Sequence, residues 1–249
     1  MSRRIVVGLL ALLTAAGSAC GDKRDGTSSA PTAATRASTT TAAPATMGAG
    51  LPATGPATGA VLGVVGVSFD HVLDVRSSPG GDQLLVATLP PLADHVVPTG
   101  RAEQIGTTVW FEVTINGTTG WAEAAFRGYL GTTTDTTSNV VAKLGAIPSA
   151  ASMLELGRIV ADTAASTEDP VSRVTVAVAP TEDDLGEVTY DVVGLPDDAV
   201  YGIRLHVFGT PGTSNLPVSA LEVPTRFSLK TVESTLLCGR GVTGDGRCV

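Results

Sequence analysis

Residues 110–121 read WFEVTINGTTGW, and this run predicts a central β-hairpin. Asn116 and Gly117 both tolerate positive φ, and an Asn-Gly pair between two strand-like runs is the strongest short-range signal for a two-residue turn. The flanking residues Trp110–Ile115 and Thr118–Ala122 can then pair as antiparallel strands. Everything else predicted for the first half of the chain is arranged around this hairpin.

Short apolar runs on either side of the hairpin alternate with turn residues about every 8 to 12 positions, which is typical of a small all-β unit. The predicted strands are Val61–Val67, Val72–Val75, Leu84–Leu89, Val96–Thr99, Val109–Ile115 and Gly120–Ala122. These strands, the hairpin and the aromatic pairs are complete within residues 61–134, so we expect this span to form a domain that holds together by itself.

Several separated pieces of this span carry a family resemblance. They are Leu73-Asp74-Val75-Arg76-Ser77-Ser78-Pro79-Gly80, Val86-Ala87-Thr88-Leu89-Pro90, Val96-Val97 with Thr99-Gly100, Trp110-Phe111-Glu112-Val113, Gly117-Thr118-Thr119-Gly120-Trp121 and Tyr129-Leu130. In order and spacing the pieces resemble a bacterial SH3-like domain. The chain departs at Pro91-Leu92-Ala93-Asp94, where the family commonly has a glycine turn.

The resemblance implies a small β-barrel that binds a peptide, since bacterial members often bind cell-wall peptides through aromatic side chains near their loops. The candidate ligand contacts are Trp110, Trp121 and Tyr129. The competing interpretation for the two tryptophans is core packing, which is the commoner use of such aromatics in a barrel.

The second half of the chain predicts one helix on an antiparallel sheet. Residues 131–148 are threonine-rich and are expected to form a link. In Ser152–Ala165 the apolar residues recur at three- and four-residue steps, and Ser152 with Glu155 has the spacing of a capping box. Alternating patterns then predict strands at 174–178, 188–192, 201–207, 221–223 and 226–237. We therefore expect a mixed fold, with an all-β SH3-like barrel at 61–134 and an α+β domain at 135–249.

The start of the chain has the pattern of an export signal. Arg3 and Arg4 precede the apolar run Ile5–Ala16, and the small residues Gly17-Ser18-Ala19 precede Cys20. A cysteine after small residues resembles the lipobox of bacterial lipoproteins. This resemblance implies that residues 1–19 are removed, that Cys20 is lipidated, for example with palmitate, and that the protein is held at the extracytoplasmic face of the cell membrane. Ordinary cleavage that leaves Cys20 unmodified stays open.

Residues 20–60 are rich in Thr, Ala, Ser, Pro and Gly, and they predict a disordered tether. As a flexible coil, a tether of this length has a reach of about 35 Å. The formal charge of the chain is −8, and no basic run longer than Lys23-Arg24 follows the signal. Nucleic acid is therefore not an expected partner, because polyanion binding needs clustered Lys and Arg. The expected partners are the membrane, through the anchor, and peptidoglycan or an envelope protein.

Cys238 and Cys248 flank a glycine-rich segment and predict a disulfide-closed loop at the C-terminus. An oxidising compartment favours such a bridge. A zinc site would need four ligands, and two cysteines without a neighbouring histidine supply two. The segment Asp191–Val200 and the ending Leu237–Val249 are similar to the C-terminal part of uncharacterised actinobacterial exported proteins, a resemblance that implies no activity.

No catalytic residue, metal ligand or cofactor is predicted. His71, His95 and His206 are scattered, and the pairs Asp183-Asp184 and Asp197-Asp198 are better explained as turn residues. Cys20 is assigned to lipid and the other cysteines to a bridge, so no thiolate is left as a nucleophile.

Three functional hypotheses follow. The first is a non-catalytic, lipid-anchored envelope protein whose SH3-like domain binds a peptide. The second is an enzyme with its site in the C-terminal domain, built from residues such as Asp191, Asp197, Asp198, Arg204 and His206. The third makes the C-terminal domain a dimerisation or assembly unit that acts through its sheet edge.

Overall fold

A six-stranded antiparallel sheet surrounds the predicted hairpin. A computed structural model describes residues 49–50, 55–213 and 225–249. Ile115 pairs with Thr118 across the turn, where Asn116 and Gly117 have φ of 48° and 82°. This geometry confirms the hairpin. The signal segment, Cys20, most of the tether and the predicted strand at 221–223 lie outside the described residues.

The first sheet has the strand order β1-β5-β6-β7-β3-β4 and curls into a half barrel. Its strands are β1 (Ala49–Gly50), β3 (Leu73–Arg76), β4 (Leu85–Leu89), β5 (Val97–Ile105), β6 (Thr108–Ile115) and β7 (Thr118–Glu123). Gly120 permits the close approach of strands: a Cβ built there would lie 2.7 Å from Val75 Cγ1 and 2.8 Å from Val86 Cγ2. Any side chain at residue 120 would therefore push the strands apart.

The second sheet has seven strands in the order β10-β11-β12-β13-β8-β2, with β9 paired to β13. Its strands are β2 (Gly63–Val64), β8 (Arg127–Asp135), β9 (Ser149–Ala150), β10 (Arg173–Thr181), β11 (Gly186–Val193), β12 (Val200–Thr213) and β13 (Thr225–Cys238). A 3₁₀ turn, Ala124–Phe126, joins β7 to β8.

The predicted helix is α2 (Met153–Asp162), and it packs on the second sheet. Ser152 accepts a hydrogen bond from the Glu155 N–H at its N-terminus, as the capping pattern predicts. Leu156 and Val160 are fully buried in one core with residues of β11 and β12. The arrangement of a helix on an antiparallel sheet is thus present.

The threonine-rich segment differs from its prediction. β8 continues to Asp135, and a second helix, α1 (Thr137–Leu144), follows within the expected link. Asp135 Oδ1 accepts a hydrogen bond from the Thr137 N–H, and Thr137 Oγ1 accepts one from the Val232 N–H. The helix buries Val140 and ends at Gly145, whose φ is 75°. It is held by contacts with β13, which lies far away in sequence.

Strand pairing and a common buried cluster connect the two halves of the chain. β8 pairs with β13 of the second half and with β2 of the first half. Val65, Val193 and Leu237 form a buried cluster that contains residues of both predicted domains. The boundary expected after residue 134 falls at the end of β8, and the described residues on both sides of it belong to one compact unit.

The compact unit also begins earlier than residue 61. The Gly59 N–H donates a hydrogen bond to the Pro98 carbonyl at 3.1 Å, and Thr58 Oγ1 donates one to the Thr99 carbonyl at 3.0 Å. Residues 55–60, which the composition assigned to the tether, therefore lie against β5.

The outer edge of β10 is partly covered. The Phe69 N–H donates a hydrogen bond to the Val176 carbonyl at 2.9 Å, and two register irregularities and Pro180 interrupt the strand. Bulges and prolines are devices that keep sheet edges from pairing with other chains. Within the described residues, neither helix has the length and apolar character needed to cross a membrane.

Candidate functional site

The three aromatic residues predicted as ligand contacts are buried. Trp110 and Trp121 are each 4% exposed, and Tyr129 is 8% exposed. The Arg101 guanidinium lies over the Trp121 ring, 5.1 Å from its centroid. Tyr129 packs in the core of the first half and borders a surface cavity beside the C-terminal loop. These positions fit the packing interpretation of the two tryptophans.

A cleft at the meeting of the two halves contains a buried cation that no pattern in the sequence predicted. This Arg127 cleft has a volume of about 440 Å³. It is lined by Thr107, Phe111, Glu123, Arg127, Tyr201 and Gly239, among others. The volume falls in the range of about 300–1,000 Å³ that is usual for ligand sites. Residues 107–127, from β6, β7, the 3₁₀ turn and the start of β8, therefore contribute one wall, and Tyr201 and Gly239 of the C-terminal half contribute the other.

The Arg127 side chain is 6% exposed and is held by backbone groups. Its Nε donates a hydrogen bond to the Glu123 carbonyl at 3.0 Å, and its Nη2 donates one to the Ala122 carbonyl. The guanidinium lies over the Phe111 ring, 4.8 Å from the ring centroid. Nη1 is buried and has no hydrogen-bond partner among the described residues.

Burial lowers the pKa of Arg127 from its ordinary value to about 9, and the charge of Glu123 opposes this shift. A guanidinium in water never approaches such a value, because its charged form is well hydrated. Arg127 is thus a cation that has lost much of its hydration and has an unused donor, a combination suited to receiving an anion.

Tyr201 extends the cleft into the C-terminal half. Its Oη donates a hydrogen bond to the Ala125 carbonyl at 2.9 Å, in the 3₁₀ turn of the first half. Burial raises the pKa of the Tyr201 hydroxyl, and the nearby Arg173 partly offsets this effect. The hydroxyl therefore stays protonated at neutral pH, and its one proton is donated to the Ala125 carbonyl.

A second, polar groove lies on the face of the second sheet that is opposite α2. This His206 groove has a volume of about 390 Å³, and its lining includes Leu92, Glu187, Thr189, His206 and Glu233. His206 Nε2 lies 3.2 Å from Glu187 Oε2, and His206 is paired with Glu233 in the register of β12 and β13. Within the described residues, no group of three or more His, Cys, Asp or Glu side chains could hold a metal ion.

The residues named for the enzyme hypothesis are only partly brought together. Asp191 and Arg204 form a buried ion pair, and Arg204 also borders the His206 groove. Asp197 lies elsewhere, where its Oδ1 accepts hydrogen bonds from the N–H groups of Val200 and Ala199, and these bonds lower its pKa. Asp198 pairs with Arg240. Asp197 thus has the local contacts expected of a turn residue, whereas the partner of Asp198 lies far away in sequence.

The remaining candidates are the two C-terminal cysteines and two exposed histidines. Cys238 and Cys248 lie at disulfide distance, with Cα atoms 5.1 Å apart, which fits the predicted bridge. The side chains of His71 and His95 are 73% and 83% exposed, and each lies beside the aspartate that precedes it in sequence.

Comparison with known proteins gives no further guidance, since no family model, curated protein or solved structure matches the chain.

Sequence reasoning missed Arg127, Glu187 and Glu233. A weak signal existed for Arg127, because it is a single charge within the otherwise uncharged run Ala124–Leu130. The glutamates alternate with buried residues along their strands, which is also the pattern of any solvent-facing strand position.

Proposed function

We propose that this chain is a non-catalytic, lipid-anchored protein of the cell envelope, displayed on the extracytoplasmic face of the membrane. Its first half is an SH3-like module that binds a peptide, either of peptidoglycan or of a protein partner. The pattern of residues 17–20 supports the anchor, and the curled sheet around the Asn116-Gly117 hairpin supports the SH3-like module.

The Arg127 cleft is the observation that carries the binding proposal. It brings the Phe111 ring, the Tyr201 side chain and a buried guanidinium together within one concave surface. Ligand sites usually combine apolar walls with a few well-placed polar groups, and this cleft does so. Since Trp110 and Trp121 are buried, the ligand contacts move from the tryptophans to this cleft.

The proposal is tested by titrating the purified chain with soluble peptidoglycan fragments. The Cys20→Ser variant keeps the protein free of lipid for this experiment. We expect saturable binding that Thr107→Trp abolishes, because Thr107 is an exposed residue of the cleft wall. Thr118→Trp is the matched control, since Thr118 is an exposed threonine at the turn between β6 and β7.

Binding that Thr107→Trp leaves intact would move the site away from the Arg127 cleft. Turnover of the fragments, followed by mass spectrometry, would instead favour the enzyme hypothesis. In that case the His206 groove is the candidate active site, because it places the imidazole of His206 next to the carboxylate of Glu187.

The anchor is tested separately in cells of the producing organism. We expect the Cys20→Ser protein to leave the membrane fraction, whereas the parent stays in it with an acyl-modified N-terminus. A mature N-terminus at another residue, without acyl mass, would contradict the anchor.

A further inference from the structure

We propose that the Arg127 cleft is a carboxylate site, in which Nη1 of Arg127 donates a hydrogen bond to a free carboxylate of a bound peptide. This inference rests on the proposed function, because it takes a peptide as the ligand. It adds the chemical group that is recognised and the residue that recognises it.

The two most buried guanidinium groups of the described residues, those of Arg204 and Arg127, have different kinds of partner. Arg204 has its own carboxylate, because Asp191 lies 2.7 Å from its Nε. Arg127 has two backbone carbonyls and the Phe111 ring, and none of the described carboxylates pairs with it. A buried cation that lacks a counterion is unfavourable, and an unused donor adds to that cost. An incoming carboxylate removes both deficits.

The geometry limits how the carboxylate binds. Nε and one hydrogen of Nη2 are already used by the carbonyls of Glu123 and Ala122, and Nη1 is the nitrogen without a partner. The side-on fork formed by Nε and Nη2 is therefore blocked, and a carboxylate oxygen accepts from Nη1. Because Nη1 is enclosed in the free protein, the oxygen reaches it only when a side chain of the cleft moves aside.

The negative charge of Glu123 provides a direct test of the proposal. Glu123 lines the same cleft, and its carboxylate interacts electrostatically with Arg127 without forming an ion pair with it. An anionic ligand would be repelled by Glu123 and attracted by Arg127. Removal of the Glu123 charge should therefore strengthen the binding of an acid and should leave the binding of a neutral ligand unchanged.

The probes are N-acetyl-D-alanyl-D-alanine and its C-terminal amide, which differ in one carboxylate. They are titrated into the purified chain carrying Cys20→Ser, and binding is followed by calorimetry and by the Arg127 Nε–H signal in ¹⁵N NMR. We expect the acid to bind at least tenfold more tightly than the amide and to shift the Arg127 signal. Glu123→Gln should tighten the binding of the acid several-fold, and Arg127→Gln should abolish the preference for the acid.

Equal affinities for the acid and the amide would overturn the inference, as would an Arg127 signal that does not move. Failure of the acid to bind at all would do the same. Should Arg127→Gln not fold, the comparison of probes and the Glu123→Gln variant still decide the outcome. Glu123→Asp is the matched control, because it keeps the charge.

The two proposals fail separately. If peptidoglycan fragments bind in the cleft while the acid and the amide are equivalent, the carboxylate site is wrong and the binding function stands. If the acid binds at Arg127 while the fragments do not, the carboxylate site stands and peptidoglycan is not the ligand.

Discussion

Arg204 holds Asp191 in a buried ion pair that joins the two halves of the protein. Arg204 Nε and Nη2 donate to the two Asp191 oxygens at 2.7 and 2.9 Å. The same pair reaches the first half, since Nη2 donates to the Val64 carbonyl at 2.8 Å and the Gly66 N–H donates to Asp191 Oδ2 at 2.7 Å. Asp191 is fully buried, so these contacts replace the water that would otherwise hydrate its carboxylate.

Asp191→Asn should destabilise the whole unit by about 3–5 kcal/mol, because the loss of one partner leaves the other as an uncompensated buried charge. Urea unfolding measures this difference. The matched control is Asp162→Asn, which breaks the exposed pair with Arg158 and should cost about 1 kcal/mol or less. Equal effects of the two variants would show that the buried pair does not join the halves.

Trp110→Ala and Trp121→Ala should each lower the free energy of unfolding by about 3–5 kcal/mol, because both side chains are almost fully buried. Leu84→Ala is the control, since Leu84 is 73% exposed. The measurement is chemical unfolding of the three variants. If both tryptophan variants unfold like the parent, the tryptophans are not core residues and become ligand candidates again.

The link between Cys238 and Cys248 should appear in mass spectrometry of the unreduced C-terminal peptide. Closure of a loop of this length should be worth about 3 kcal/mol in the chain-entropy model. Dithiothreitol should therefore lower the stability of the parent and leave the double variant Cys238→Ser with Cys248→Ser unchanged. Free thiols in natively exported protein would rule out the bridge.

The lowered pKa of Arg127 should make the free energy of unfolding increase at alkaline pH. Its pKa in the folded protein is about 9, well below the ordinary value of a guanidinium, so above pH 9 the unfolded chain binds the proton more tightly. The free energy of unfolding of the parent, relative to Arg127→Met, should therefore increase from pH 9 to about 10.5. Tyr190 and Tyr201 have raised pKa values and act in the opposite direction, but both proteins contain them and their effect cancels. A difference that does not change with pH would contradict the prediction.

Local patterns were enough to predict the elements whose signals are contiguous in sequence. The Asn116-Gly117 turn and the Ser152 cap are fixed by neighbouring residues, and both were predicted correctly. Helix α1 was missed because five of its eight residues, Thr137, Ser138, Asn139, Val140 and Val141, are weak helix formers. Its stabilising contact, between Thr137 Oγ1 and the Val232 N–H, comes from a strand that no local pattern places there.

The candidate site was beyond such patterns for the same reason. Asp191 faces Arg204 because β11 and β12 are in that register, which requires the intervening turn to be known. Arg127 at the start of β8 meets Phe111 of β6, which belongs to the other sheet, and the missing partner of its Nη1 is visible only when all of its neighbours are in position.

The Arg127 cleft takes its walls from both halves, through Phe111 on one side and Tyr201 on the other. Any molecule that occupies it therefore favours the folded form of the entire unit, by RT ln(1 + [L]/Kd), or about 2.7 kcal/mol at a ligand concentration of one hundred times Kd. The melting temperature of the chain thus becomes a reporter for occupancy, and a library of envelope peptides can be ranked by it without any assumption about which of them is natural.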